Sequence, residues 1–519
     1  GDLTVRGERL FLKTLHGLEP VHVLLRRVDD EYLDPLELRG DSALGVPGLL
    51  GVIRAGQVVV ANAPGAGFLE SPGLAAFWPA VARRLLGEEL LLPSTTSWWC
   101  GEDAVWAAQR QRFTDFVVAP TFPTSDTTES FAPHGVAELS PAARETLLAD
   151  IDARPAAYTL QARVRPSEIP VWNESALEPR AALVRVYAMT DGRGGWHVMP
   201  GALTRVATRR DAAQDAWLSM QHGSVSVDTW VLTEGQVDAA TLLPKPLSAA
   251  DLAHSRRTVT SRAAENLYWL GRYTERADNS VRLARITLES LNNANPVMLD
   301  ALGRLALRNG LIGGGVPSPA QSVRVFERSL VHTLADTSAM SVAYNLRALR
   351  GCAQALRERL SVEHWKLIDA VGRNFEERLG AVLQPRPAAG TGNGAGHAAE
   401  SVSDVMVVLQ RAATHLAAIT GAQSDRMTRD DGWRLLSVGR QTERLDFLTQ
   451  VLMLGLQLDL PERDDGFALL LGLFDSTITY RAQFQARREL PPLLHLLVLE
   501  LDNPRSLAGV ARTLRDRVT

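Results

Sequence analysis

The sequence predicts an α+β domain over residues 1–250 followed by an all-α helical bundle over residues 257–519. Three observations lead there. Short runs rich in Val, Tyr and Trp, punctuated by Gly and Pro, fill the first half and nearly vanish after Pro244-Lys245-Pro246. Long amphipathic patterns take over from that point. Finally, Gly271-Arg272-Tyr273-Thr274-Glu275-Arg276-Ala277-Asp278 returns 168 residues later as Gly439-Arg440-Gln441-Thr442-Glu443-Arg444-Leu445-Asp446, so one helical motif is used twice.

In chain order, strands are expected at Val21 to Leu25, Val58 to Ala61, Phe116 to Val118, Tyr158 to Val164, Ala181 to Met189 and Trp230 to Leu232. A helix is expected over Ser71 to Leu86, with Pro72 in its first turn and Gly87 beyond its end, the asymmetry that helix termini favour. Bundle helices are expected over Ser261 to Leu291, Ser322 to Arg357, Val362 to Leu383, Ala399 to Thr420, Gly432 to Leu456 and Leu469 to Glu489. Gly310 to Pro319 and Pro385 to Gly396 are Gly-rich or Pro-rich breaks of low complexity and read as mobile loops.

Composition narrows the functional classes. At 519 residues the chain exceeds what one hydrophobic core organises. With 45% apolar and 22% charged residues and a net charge of -4, nothing favours nucleic acid as a partner. Cys100 and Cys352 are the two cysteines, so neither a disulfide framework nor a metal-ligand spacing is expected, and a cytoplasmic location fits. The run Phe467 to Leu473 falls far short of the ~18 to 20 residues of a membrane span, so no membrane is expected as a partner. Gly1 stands where Met would begin a native chain, and no signal segment is visible.

Several residues in the first half are candidates for chemistry. Asn62-Ala63-Pro64-Gly65-Ala66-Gly67 follows a strand and leads to a helix, so its N–H groups line either an anion site or an ordinary turn; Asn62, Gly65 and Gly67 are taken as candidate cofactor contacts. The acidic run Asp29, Asp30, Glu31, Asp34 and Glu37 offers oxygens to Mg²⁺ or is a solvated turn. Trp98 and Trp99 are expected to pack a core or a cleft wall. Arg185, between Val184 and Val186, points away from its neighbours toward a phosphate, a carboxylate or a structural ion pair.

Many of these residues sit in motifs that resemble the circularly permuted ATP-grasp family. They are Leu24-Leu25-Arg26-Arg27-Val28-Asp29-Asp30, Asp34-Pro35-Leu36-Glu37-Leu38-Arg39, Leu44-Gly45-Val46-Pro47-Gly48-Leu49-Leu50, Leu69-Glu70-Ser71-Pro72, Leu85-Leu86-Gly87-Glu88-Glu89-Leu90 and Trp98-Trp99-Cys100-Gly101. Val198-Met199-Pro200-Gly201-Ala202-Leu203-Thr204-Arg205 and Asp228-Thr229-Trp230-Val231-Leu232 complete the set. The resemblance implies a partial ATP-grasp-like domain holding ATP and Mg²⁺ between α+β subdomains. It also implies a carboxylate–amine ligase, distantly similar to glutathionylspermidine synthetase, that joins an amino-acid or peptide-like substrate. Catalysis there rests on charge neutralisation, which the resemblance assigns to Arg185 and Arg205, with Gln161 near adenine and Asp228 near the cofactor. The family's Mg²⁺ ligands are expected upstream of residue 1, so no metal ligand is assigned within the chain. Ala119 and Val227 stand where the family carries cations, a loss of ~1.5 to 3 kcal/mol for each charge-assisted hydrogen bond. The alternative is a non-catalytic scaffold with a degenerate ATP-grasp half.

The second half, from Ser261-Arg262-Ala263-Ala264-Glu265-Asn266-Leu267-Tyr268-Trp269-Leu270 through the repeat to Asp502-Asn503-Pro504-Arg505-Ser506-Leu507, resembles the α-E helical domain. Two readings of its charged repeat stand. Arg272 or Arg276 pairs with Glu443 or Asp446 across a pseudo-twofold interface, or the same stripes form a pocket for a zwitterionic or peptide-like ligand. No Glu-x-x-His pair accompanies either copy, so a di-iron site is not expected. The bundle is a candidate surface for a protein partner.

Overall fold

The computed structural model describes residues 1–122, 133–164, 166–173, 175–208, 224–236, 258–291, 295–384 and 402–519. Pro244-Lys245-Pro246 and the Pro385 to Gly396 break lie outside the described residues. The chain divides into two compact units, one of Val5–Leu10 with Val21–Ala253, the other of Gly1–Thr4 and Phe11–Pro20 with His254–Thr519. The first is mixed α and β, the second mainly helical.

Strands β1 (Leu3–Arg6), β2 (Arg9–Thr14) and β3 (Gly17–Pro20) form a three-stranded sheet in that order. The β2–β3 turn belongs to the helical unit, where Thr14 bridges Thr260 and the Leu15 N–H donates to the Val259 carbonyl at 3.1 Å. Strands β1, β2 and β3 lie outside the strands expected from the sequence, although β2 carries the short apolar run Leu10-Phe11-Leu12.

In the α/β unit, β4 (Val23–Leu25) and β5 (Val59–Ala61) pair in parallel. Strands β6 (Ser97–Trp99), β7 (Phe116–Pro120), β8 (His134–Gly135) and β9 (Tyr158–Ala162) make a second sheet in the order β6-β9-β7-β8. Alternation gives it two distinct faces. Trp98, Phe116, Val118, Tyr158 and Leu160 pack with Trp106, Phe113, Val136 and Ile151 into a core. On the opposite face, in register, stand Ser97, Trp99, Val117, Ala119, Thr159 and Gln161. The expected Trp packing holds, with Trp98 4.8 Å from Phe116 between ring centroids, while the Trp99 indole donates to the Ala156 carbonyl at 2.9 Å. Helix Pro141–Ala153 supplies Ile151 and starts at Ser140, whose hydroxyl accepts the Ala143 N–H at 3.3 Å.

A third sheet contains β10 (Ser167–Asn173) and β11 (Ala176–Arg185), next to which lies the hairpin of β12 (Ala188–Thr190) and β13 (Trp196–Val198) in sequence. With β14 (Ala202–Ala207) and β15 (Ser224–Thr229), the third sheet runs antiparallel in the order β10-β11-β14-β15. Two expectations change here. The strand expected over Ala181 to Met189 is divided between β11 and β12, and Trp230 to Leu232 is not a strand, because ladder pairing ends at Thr229 opposite Ala202. The helix expected over Ser71 to Leu86 is also two, Pro72–Ala75 and Trp78–Leu86, because Pro79 forces a fresh start.

The helical unit is built on Ser261–Ser290 and Asp431–Gln457, the two copies of the repeat. Thr260 caps the first by accepting the Ala263 N–H at 3.3 Å, and Asp430 caps the second by accepting the Trp433 N–H at 3.0 Å. Around them pack Pro296–Arg308, Val323–Thr333, Val342–Gln354, Val362–Leu383, Val402–Asp425, Asp464–Leu473, Thr477–Phe484 and Leu507–Val518. The single helix expected over Ser322 to Arg357 is broken because Ser341 starts a new one, its hydroxyl accepting the Tyr344 N–H at 3.2 Å. Gly310 to Pro319 is anchored, with Leu311 fully buried and Gly310, at φ +70, placed where a Cβ would meet the Met340 carbonyl oxygen at 2.9 Å. Val402–Asp425 is long and apolar enough to cross a membrane, yet its stripe Val405, Leu409, Leu416 and Ile419 lies in the bundle core. Each such buried side chain contributes ~1.5–3 kcal/mol relative to exposure, so the bundle stands on its stripes.

Candidate functional site

Residues directly opposite one another in an antiparallel ladder share a face, and so do residues two apart along a strand. Arg185, Leu203 and Asp228 form one row of the third sheet, and Leu183, Arg205 and Ser226 the next. Three of the expected site residues, Arg185, Arg205 and Asp228, therefore stand on one face. Arg185 and Asp228 are exposed; Arg205 is half-buried, and its Nε is buried with no hydrogen-bond partner among the described residues. Val227 pairs with Thr204 on the other face, so the missing cation at 227 is not a gap in this row.

Gln161 lies in the second sheet, on its polar face, with Nε2 3.5 Å from the Ser97 Oγ. Ala119 shares that face and is fully buried, opposite Thr159. The space beside it is closed by hydroxyls: Thr121 and Thr159 bond at 2.9 Å, and the Ser71 Oγ donates to the Thr121 carbonyl at 2.5 Å. That closure leaves the row without a side-chain cation at 119.

The 62–67 turn already holds an anion, and it is the protein's own. Gly65, at φ +86, and Gly67 donate their N–H groups to the two oxygens of Asp30 at 3.0 and 3.1 Å. Arg26 donates to Asp30 at 2.5 Å and to the Asn62 carbonyl at 3.1 Å, so one Arg–Asp pair ties the strand to the turn. Asn62 is exposed. Of the acidic run, Asp34 is buried and accepts the N–H groups of Leu36, Gly48 and Leu50, each at 3.0 Å. Gly45 lies against the Tyr32 carbonyl, where a Cβ would fall 2.1 Å from its oxygen. These two motifs are therefore a backbone knot, and no cluster of three metal-binding side chains occurs among the described residues. Cys100 is buried, and that burial pushes its thiol up to about 12, out of the range of a nucleophile.

In the helical unit the repeat becomes a reciprocal seam. Glu443 accepts Arg272 Nε at 2.7 Å and Arg276 Nε and Nη2 at 2.6 and 2.7 Å. Its counterpart Glu275 accepts Arg444 Nε and Nη2 at 2.7 and 2.8 Å. Close approach is permitted by Gly271 and Gly439, where a Cβ would fall 2.0 Å from the Leu436 oxygen and 2.1 Å from the Tyr268 oxygen respectively. Arg272 lies over Trp269 and Arg276 over Tyr273, at 5.5 and 5.7 Å from the ring centroids. Burial would raise the Glu275 carboxyl, but Arg444, with Arg440 and Arg505, holds it down at about 2.

Asp446 is a correction to the expected pairing. It accepts Gln450 Nε2 at 2.8 Å, is exposed, and forms no ion pair among the described residues. Its counterpart Asp278 is engaged, at 3.1 Å by Arg505 and at 3.3 Å by Arg282. Arg282, Asp475 and Arg505 were not among the expected seam residues. The signal for Arg505 was the Asp502-Asn503-Pro504-Arg505 turn, in which Asn503 is buried and accepts the Arg505 N–H at 3.0 Å.

Residues 1–207 match the family described as circularly permuted ATP-grasp type 2. Residues 259–519, half of the chain, match Alpha-E, described as a predicted alpha-helical domain with a conserved ER motif. The chain belongs to the Alpha-E family. Within the Alpha-E part, Glu275-Arg276 and Glu443-Arg444 are the Glu-Arg pairs of the seam. The chain is similar to the uncharacterized protein Rv2567 of Mycobacterium tuberculosis, 28% identical over 99% of this chain and 57% of that protein. It is also similar to the uncharacterized protein Rv2411c of the same organism, 32% identical over 49% of this chain and 44% of that protein. The uncharacterized protein sll0335 of Synechocystis is 32% identical over 44% of this chain and 46% of its own length. The chain thus spans a little over half the length of the relative it matches end to end.

Proposed function

We propose that the ATP-grasp part contributes half of the nucleotide site of an ATP-dependent carboxylate–amine ligase acting on an amino-acid or peptide-like substrate. The observation that carries the reading is the shared face of Arg185, Arg205 and Asp228. Two guanidiniums one row apart fit a polyphosphate, and the buried, unpartnered Nε of Arg205 is a donor in want of an acceptor. Asp228 offers one carboxylate to Mg²⁺, which takes few protein ligands beside phosphate oxygens. ATP, when bound, supplies the phosphoryl group that activates a carboxylate for an amine. The residues of this face hold and neutralise its charge, and Gln161 faces the base from the polar side of the second sheet. The Alpha-E part, in this reading, holds a protein partner or the acceptor substrate.

A second reading, a scaffold without turnover, draws on Ala119, since the sealed polar face beside it carries no cation. Calorimetric titration of the full-length protein with Mg-ATP separates the two. The ligase reading expects saturable heat at submillimolar nucleotide, with affinity at least about tenfold weaker in Arg205→Gln. No saturable heat at millimolar nucleotide leaves the scaffold.

A further inference from the structure

The 168-residue repeat makes the two ends of the seam formally equivalent, yet their hydrogen bonds differ. At one end Arg272 and Arg276 both bond Glu443. At the other, Arg444 alone bonds Glu275, while Arg440, the counterpart of Arg272, stands at 3.6 Å with its Nε buried and unpartnered. Arg505 arrives from the C-terminal turn, 3.8 Å from Glu275, with its Nη1 also buried and unpartnered. Arg444 bonds both oxygens of Glu275, and at these distances neither Arg440 nor Arg505 makes a hydrogen bond to it. Four guanidiniums, Arg282, Arg440, Arg444 and Arg505, face three carboxylates, Glu275, Asp278 and Asp475, and Asp475 is mostly in solvent. Burial pulls Arg440 and Arg505 below the usual arginine range, as expected where positive charge is in excess.

We propose that this end of the seam is an oxyanion site, in which one carboxylate group of a small ligand accepts hydrogen bonds from Arg440 Nε and Arg505 Nη1. Guanidinium pairs bind carboxylate and phosphate alike. The rim decides between them: Asp278 and the exposed Asp475 border Arg505, and their charge disfavours a phosphate dianion more than a carboxylate. The site does not rest on the nucleotide reading, since all of its residues belong to the helical unit.

The test is thermal unfolding of the full chain in acetate, inorganic phosphate or chloride at matched ionic strength, with Arg440→Gln and Arg505→Gln compared. The site predicts a saturable rise in Tm of about 2–4 °C in acetate, smaller in phosphate, and lost in both variants. The carboxyl resonance of ¹³C-labelled acetate should broaden with the wild-type chain and stay sharp with Arg440→Gln, a readout that a lower Tm does not mimic. Equal Tm in acetate and chloride, or an acetate effect that persists in both variants, overturns the site. A larger response to phosphate overturns the carboxylate assignment.

Discussion

The helical unit takes charge inside, and the α/β unit leaves hydrophobic side chains outside. Glu275, Glu443 and Arg444 are buried in a network that satisfies them. In the α/β unit, by contrast, Val23, Leu25 and Val59 are exposed on the parallel pair β4–β5, and Trp172, Trp196 and Trp230 are largely in solvent. The difference lies in what each part asks of its surroundings. The bundle pairs Glu275, Glu443 and Arg444 within itself, while Arg440 and Arg505 are among the buried groups it leaves with an unpartnered donor. The α/β unit presents apolar surface of the kind that marks interaction faces. Changes in the seam should therefore register as stability, and changes on the α/β faces as binding.

The largest expected effect is Glu275→Ala. It strands the Arg444 guanidinium in the interior and should cost about 3–5 kcal/mol in chemical denaturation. Glu443→Ala should cost less, because Arg272 and Arg276 retain some solvent contact and their aromatic neighbours. Equal costs would mean that the two ends are energetically alike. Next is Gly271→Ala, which sets a methyl against the Leu436 carbonyl and should cost about 1–3 kcal/mol as the helices part. An unchanged denaturation midpoint would show that the crossing is looser than its geometry.

A smaller effect is expected from pH. His364 is buried with neither ring nitrogen bonded, and burial, aided by Arg426, lowers it from 6.5 to about 4. A depressed folded-state pKa stabilises fully above the unfolded value, so His364 contributes above pH 6.5 and loses that contribution as pH falls toward 4. Glu275, held at about 2 against 4.5, adds its own loss only below pH 4.5. Denaturation midpoints should decline in those two windows, and His364→Phe should flatten the upper one. The smallest effect should come from Trp230→Ser in the α/β unit, within about 0.5 kcal/mol. A larger loss would place that side chain in a packed environment.

The sequence disclosed the helical period, the caps and the twofold use of Gly-Arg-x-Thr-Glu-Arg, because all are local. Pairing of Arg272 and Arg276 with Glu443 followed from symmetry alone. Other features required the fold. That Arg185, Arg205 and Asp228 share a face depends on the register of three strands, and that Val227 faces away depends on the same register. Asp30 filling the 62–67 turn depends on β4 lying beside β5, a pairing of residues nearly forty apart. Arg505 joins the seam only through a turn set by Asn503, and nothing in the repeat announces it.

The division of labour between the two parts is tested most directly by one comparison: Mg-ATP calorimetry on the full-length wild type, Arg205→Gln and Arg272→Gln. Nucleotide chemistry on the β11–β14–β15 face predicts saturable heat whose affinity falls at least about tenfold in Arg205→Gln and is kept in Arg272→Gln. Heat lost in Arg272→Gln and kept in Arg205→Gln would contradict the account and move the nucleotide to the seam.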